Sequence, residues 1–213
     1  MSNQKIWQKR VPDLAARSWE VEAIRVRLDN LRQNGFDPQY LDWAAVKANR
    51  DDVLDRVQLR AEEYEYLTHS CAKGTALALM EEFGLGNWAI TRAMSPFPGF
   101  GMTGGICGAV TGSLIALGLF FGSDDPEDYE GTGRTMTAAR EFIARFKEEL
   151  GTIMCPELQE DVIFGRYMDP RASPENFAAF QKAQGYEKCA LLPGVGARLA
   201  AEVMLSDDGP ARS

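Results

Sequence analysis

Apolar residues recur along this chain at the spacing of three and four residues that is typical of amphipathic helices. The first such pattern predicts a helix from Trp19 to Asn34, with Ser18 as its cap and Gly35 after its end. Asp37-Pro38 predicts the start of a second helix that runs toward Asn49, because proline is favoured at the first helical position.

A longer helical pattern begins near Asp51 and extends to Phe83, with two readings left open at its middle. The helix either breaks near Ser70 or continues through it. A short helix is predicted over Trp88 to Met94, and it ends before Pro96 because the residue ahead of a proline disfavours helical geometry.

Further helices are predicted along the rest of the chain, and no segment shows the sustained alternation of a strand. They are an apolar helix around Cys107, a helix over Thr135 to Leu150 after an acidic loop from Ser123 to Gly133, a short helix at Cys155, a helix from Ser173 to Gln184, and a last helix from Ala197 to Leu205 after a turn at Pro193 to Gly196. The fold class predicted is all-α: a single compact helical domain (60–205) with an N-terminal helical extension (1–59) and a flexible tail (206–213).

Composition narrows the function classes. Of the 213 residues, 45% are hydrophobic and 25% are charged, as in a globular domain. The net charge of −8 argues against nucleic acid as a partner, since phosphate binding needs a basic face. The longest uncharged run, Ala93 to Ser123, is broken by prolines and glycines, so we expect a buried helix there and no membrane insertion. The polar N-terminus shows no secretory signal, and a cytoplasmic location is expected.

Four cysteines, each in or beside a predicted helix, are the main chemical lead: Cys71, Cys107, Cys155 and Cys189. They lie too far apart for the paired C-x-x-C spacing of zinc fingers and ferredoxins, so a shared site requires the fold to gather them. In a reducing compartment, cysteines favour metal binding or transient redox chemistry over structural disulfides.

The local settings of the cysteines favour thiolates. Cys107 follows a glycine turn into a helix, and Cys155 precedes Pro156, so both are expected at helix starts, where the dipole stabilises negative charge. Cys71 has Lys73 nearby, and Cys189 follows Lys188. For any one of them, ordinary core packing is the commoner explanation.

Two other features carry less weight. His69, the single histidine, could ligate a metal or donate a proton, but one histidine near a cysteine is no motif. The run Gly99 to Gly104 fits the G-x-G-x-x-G fingerprint, but it follows a helix and prolines instead of a strand, so no NAD site is expected.

The stretch from Arg60 to Met204 resembles the C_GCAxxG_C_C family of redox-active proteins. The segment Cys107 to Gly112 matches the family's Cys-Gly-Ala-x-x-Gly motif in full, and the surrounding glycine turn, the helix before Cys155, and Cys155-Pro156-Glu157-Leu158 are also similar. Cys71 and Cys189 fit the remaining two positions. The chain departs from the family in its first 60 or so residues and in a long insert from Ile163 to Lys188.

The resemblance implies redox activity carried by the cysteines, and a related region of split-Soret cytochromes has been suggested to hold an iron cluster. Covalent haem is not expected, because C-x-x-C-H is absent. We expect an oxidoreductase or electron-transfer protein, with an iron–sulfur cluster on Cys71, Cys107, Cys155 and Cys189 and a redox partner protein. Two alternatives stay open: a cofactor-free thiol–disulfide protein, and a non-enzymatic helical module with structural zinc or no metal, whose N-terminal helices form a homodimer.

Overall fold

The structure, a computed structural model, describes residues 3–36 and 43–206. Within these residues the only pairing of the β type is one antiparallel bridge between Ile106 and Met154, and nearly all other regular structure is helical. The all-α prediction is confirmed.

The N-terminal part of the chain forms short helices around one longer one. They are α1 (Asn3–Gln8), α2 (Val11–Ala16), α3 (Val21–Asn34) and α4 (Trp43–Ala48). Helix α3 begins two residues later than predicted, and Glu20 occupies the cap position expected for Ser18. Gly35 ends it with a φ of 82°, as glycine can. The predicted helix start at Asp37-Pro38 lies outside the described residues.

The middle of the chain contains the long helices. They are α5 (Arg50–Thr68), α6 (Cys71–Phe83), α7 (Trp88–Ala93), α8 (Gly99–Met102), α9 (Gly108–Phe121) and α10 (Tyr129–Leu150). The break between α5 and α6 falls at Ser70, whose hydroxyl accepts a hydrogen bond from the Lys73 N–H at 3.5 Å. Helix α10 starts six residues before the predicted Thr135, because Asp128 caps it by accepting the Gly131 N–H at 2.7 Å.

The C-terminal part contains α11 (Cys155–Leu158), which continues into a π-helical segment (Gln159–Phe164), then α12 (Pro174–Lys182), α13 (Gly185–Cys189) and α14 (Leu191–Leu205). The predicted turn at Pro193 to Gly196 is wrong, since α14 runs through it. Pro193 is the third residue of α14, within the first turn, where a backbone N–H has no partner inside the helix.

Four helices, α5, α6, α9 and α14, pack around the core, and glycines allow close contacts between α5 and α6, α6 and α9, α14 and α5, and α14 and α9. A β-carbon on Gly74 would lie 2.8 Å from the Glu65 backbone nitrogen, and one on Gly112 would collide with the Ala72 carbonyl. Gly196 approaches the Ala109 carbonyl, and Gly194 approaches the Glu62 side chain. The absent side chains let these backbones come together, which explains why the glycines of α14 belong to a helix and not a turn.

The N-terminal segment is fastened to α5 through Glu62, whose side chain is almost completely buried. Arg10 and Arg17 form ion pairs with its carboxylate at 2.8 and 3.1 Å. Burial raises the pKa of Glu62, and the two arginines oppose that rise. Arg17 also lies over the Trp19 ring, 4.4 Å from its centroid.

Among the described residues, no helix combines the length and apolar character needed to cross a bilayer.

Candidate functional site

The four cysteines line a single cavity of about 530 Å³ at one end of the helical core. Each comes from a different element: Cys71 is the first residue of α6, Cys107 caps α9, Cys155 is the first residue of α11, and Cys189 is the last residue of α13. All four are free thiols, with Cys107 buried and the others partly buried. The fold thus gathers residues that the sequence keeps at least 34 positions apart.

Cys71 and Cys107 are in contact within the cavity. Their side chains share a hydrogen bond, and the Gly108 N–H donates to the Cys71 sulfur. A β-carbon on Gly108 would collide with that sulfur and would lie 2.7 Å from the Ala72 nitrogen. The glycine after Cys107 is therefore what allows the starts of α6 and α9 to meet.

Cys155 is held beside Cys107 by the backbone. The Cys107 N–H donates to the Ile153 carbonyl at 2.8 Å, and the Cys155 N–H donates to the Gly105 carbonyl at 3.0 Å. The Gln159 amide, one turn after Cys155, donates to its sulfur at 3.6 Å. Gln159 is fixed in turn, because its carbonyl oxygen accepts the Met168 N–H at 2.8 Å.

Two stacked rings and two residues with a strained backbone also line the cavity. His69 stacks on Tyr186 with ring centroids 3.6 Å apart. His69 has a φ of 53° and Met102, also on the cavity, has a φ of 58°, a region that non-glycine residues adopt only at a cost of roughly 1–3 kcal/mol. Burial lowers the pKa of His69, which favours the neutral ring at pH 7.

The expectation that the thiols' surroundings favour thiolates is wrong for three of the four. The pKa of Cys71 is raised well above its ordinary value, first by the hydrogen bond to Cys107 and then by burial. Burial raises the pKa of Cys155 to about 12, and it also raises the pKa of Cys189. Lys188, expected to act on Cys189, instead lies over the Phe164 ring at 6.0 Å. Burial of the thiols and their closeness to one another therefore raise these pKa values more than the helix dipoles lower them.

The sequence interpretation missed Glu65, whose side chain lines the same cavity. It is 3% exposed, its Oε2 atom has no hydrogen-bond partner among the described residues, and burial raises its pKa to about 8. The Ser70 N–H donates to its carboxyl group. A signal existed: Glu65 follows the buried Val57 and Ala61 at helical spacing, so it occupies a position where an apolar residue is expected.

In the described part of the chain, no group of three or more His, Cys, Asp or Glu side chains is already arranged to hold a metal ion. The donor set itself, four cysteine sulfurs on one cavity, is what an iron–sulfur cluster requires.

Comparison with protein families shows the class. A family model described as "Putative redox-active protein (C_GCAxxG_C_C)" matches residues 69–203, which include all four cysteines and the helices from α6 to most of α14. The match covers well over half of the chain, and the chain belongs to this family. No curated protein and no solved structure matches the chain. Helices α1 to α5 lie ahead of the matched region.

Proposed function

We propose that this chain is a redox protein in which Cys71, Cys107, Cys155 and Cys189 hold an iron–sulfur cluster, used for electron transfer or for reducing a substrate. The observation that carries the proposal is the meeting of all four sulfurs on one cavity. The sulfurs are not already arranged as a metal site in the described part of the chain, so the support comes from the donor set and its surroundings.

The crowding of the buried thiols favours a metal cation bound at the sulfurs. The negative charge of one cysteine raises the pKa of its neighbours, as at Cys71, Cys155 and Cys189. The site therefore disfavours several thiolates at once. Ferric or ferrous iron supplies positive charge that replaces the thiol protons, which is how metal binding and deprotonation are coupled. A crowded set of buried thiols is thus a poor set of free nucleophiles but a good set of metal ligands.

Donors to sulfur are already in place. The Gly108 N–H and the Gln159 amide donate to Cys71 and Cys155, and such bonds tune the potential of a cluster. The chain's own contribution is to orient two sulfurs, to limit water through the His69–Tyr186 stack, and to keep the start of α9 against α6.

Reconstitution of the anaerobic protein with ferrous iron and sulfide, on wild type and single variants, tests this proposal. Each change of a cysteine to serine should lower bound iron and visible absorption. Met102→Leu is the matched control, because Met102 places a different sulfur on the same cavity and should leave iron binding unchanged. Equal iron in all five variants and wild type would contradict the proposal.

A second candidate, a cofactor-free thiol–disulfide protein, is favoured by one observation, the contact between the Cys71 and Cys107 thiols. Joining them would release two protons and pass two electrons to a disulfide or another oxidant. The raised pKa of Cys71 slows this reaction, since the thiolate is the nucleophile. Mass spectrometry after mild oxidation of the metal-free protein would show a loss of two hydrogens, absent in Cys71→Ser and Cys107→Ser.

A further inference from the structure

The cavity that holds the cysteines has a charge opposite to that of the chain. Two cationic side chains line it, Lys73 from α6 and Arg171 from the segment before α12, and neither forms an ion pair with any described residue. Among the described lining residues the only carboxyl group is Glu65. Even with Glu65 counted as ionised, the lining is positive in a chain whose net charge is −8.

Two further carboxylates lie near the cavity without lining it. Asp169 accepts the Arg171 backbone N–H at 2.8 Å, lines a neighbouring groove and acts electrostatically on Cys155, and Glu187 acts on His69. Neither carboxylate forms an ion pair with Lys73 or Arg171. In contrast, arginines elsewhere are largely paired, as Arg10, Arg17 and Arg198 show. Two cationic side chains without an ion-pair partner on a concave surface favour the binding of an anion there.

The starts of two helices also favour an anion in the cavity. Helices α6 and α9, of 13 and 14 residues, both begin at the cavity, and their N-termini favour negative charge. The side chain of Glu65, whose buried Oε2 atom has no hydrogen-bond partner among the described residues, lines the same space. A volume of about 530 Å³ accommodates a small molecule beside the sulfurs.

We propose that this cavity binds a small oxyanion, held by Lys73 and Arg171 next to the four cysteines. Its place as the substrate of the cysteine site rests on the function proposed above, whereas its binding to the protein does not. Lysine and arginine donate charge-assisted hydrogen bonds to anionic oxygens, and Lys73 and Arg171 belong to two different parts of the fold.

Titration calorimetry with inorganic phosphate, a redox-inert probe, tests this inference on the full-length, metal-free protein. Wild type should bind phosphate saturably, and Lys73→Gln or Arg171→Gln should each weaken binding about tenfold, the loss expected for one charged hydrogen bond. The matched controls are Lys188→Gln and Arg166→Gln, which remove the same charges from side chains that do not line this cavity. They should change the affinity less than about twofold.

Absence of saturable binding, or equal weakening by all four substitutions, would overturn the inference. Arg171 is exposed, so Arg171→Gln keeps the test decisive if Lys73→Gln fails to fold by circular dichroism. A protein that binds phosphate but no iron would refute the cluster alone. A protein that holds iron in the same preparation but ignores phosphate would refute the oxyanion site alone.

Discussion

Gly108 lies directly against the thiol of Cys71, so close that a β-carbon at Gly108 would collide with the sulfur. This contact joins two cysteines that are 36 positions apart and explains physically why a glycine follows Cys107 in the family's motif. It also fixes the seam between α6 and α9, so the site and the core depend on the same residue.

Gly108→Ala should therefore destabilise the protein by about 1–3 kcal/mol, the range for overpacking a tight interior. Gly118→Ala in the same helix is the control, because nothing lies within 4 Å of the added carbon. It should stabilise the protein by about 0.5–1 kcal/mol through helix propensity. Urea denaturation of both variants measures the contrast, and two equal effects would show that the seam is not packed as described.

Thiol reactivity should be low in the reduced, metal-free protein. Because the pKa of Cys155 is raised to about 12, its thiolate fraction near neutral pH falls roughly a thousandfold below that of an ordinary cysteine. Alkylation with iodoacetamide, followed by peptide mass spectrometry, should label Cys155 slowly, with a rate that still rises above pH 9 or so. The same protein in denaturant is the control and should be labelled rapidly at all four cysteines.

The pH dependence of stability should contain a contribution from Glu65. Its pKa of about 8 in the folded protein lies above the ordinary 4.5, so the unfolded chain loses this proton first as the pH rises. The protonated Glu65 therefore contributes its full stabilisation at pH values below the ordinary pKa of 4.5. This stabilisation is lost as the pH rises toward 8.

Glu65→Gln removes this titration while keeping the shape of the side chain. From about pH 5 to about pH 8, the stability of this variant relative to wild type should rise by on the order of 3 kcal/mol. Urea midpoints at both pH values measure the change. Glu160→Gln, at an exposed position, is the control and should run parallel to wild type.

The attachment of the N-terminal helices to α5 should depend on Arg17. Replacing it with methionine leaves the buried Glu62 with one cationic partner, Arg10, and should cost about 2 kcal/mol. Arg25→Met removes an exposed pair with Glu22 and should cost less than about 0.5 kcal/mol. Equal effects would indicate that Glu62 is not buried at a docked interface.

Much of the helical layout could be predicted because capping and periodicity are local. Ser70 caps the start of α6 by accepting the Lys73 N–H, and Ser173 caps α12 by accepting the Asn176 N–H at 3.2 Å. The prediction failed where tertiary packing decided the outcome. Pro193, Gly194 and Gly196 are typical turn residues, yet in α14 the two glycines serve close contacts with α5 and α9.

The cysteines of the cavity were predictable from the sequence, but their chemical setting was not. The Cys107 to Gly112 motif and the order of the flanking segments indicated which cysteines the fold brings to one cavity. It could not show that burial reverses the effect of helix starts on Cys71 and Cys155, because burial depends on every element around the cavity. Glu65 and Arg171 were found at the cavity only through the fold.

Iron and acid-labile sulfide per chain, measured on protein purified without oxygen, test the central claim most directly. The account predicts both in equal amounts, together with broad visible absorption that disappears in Cys107→Ser. A colourless, folded protein that contains zinc or no metal under the same conditions would contradict it.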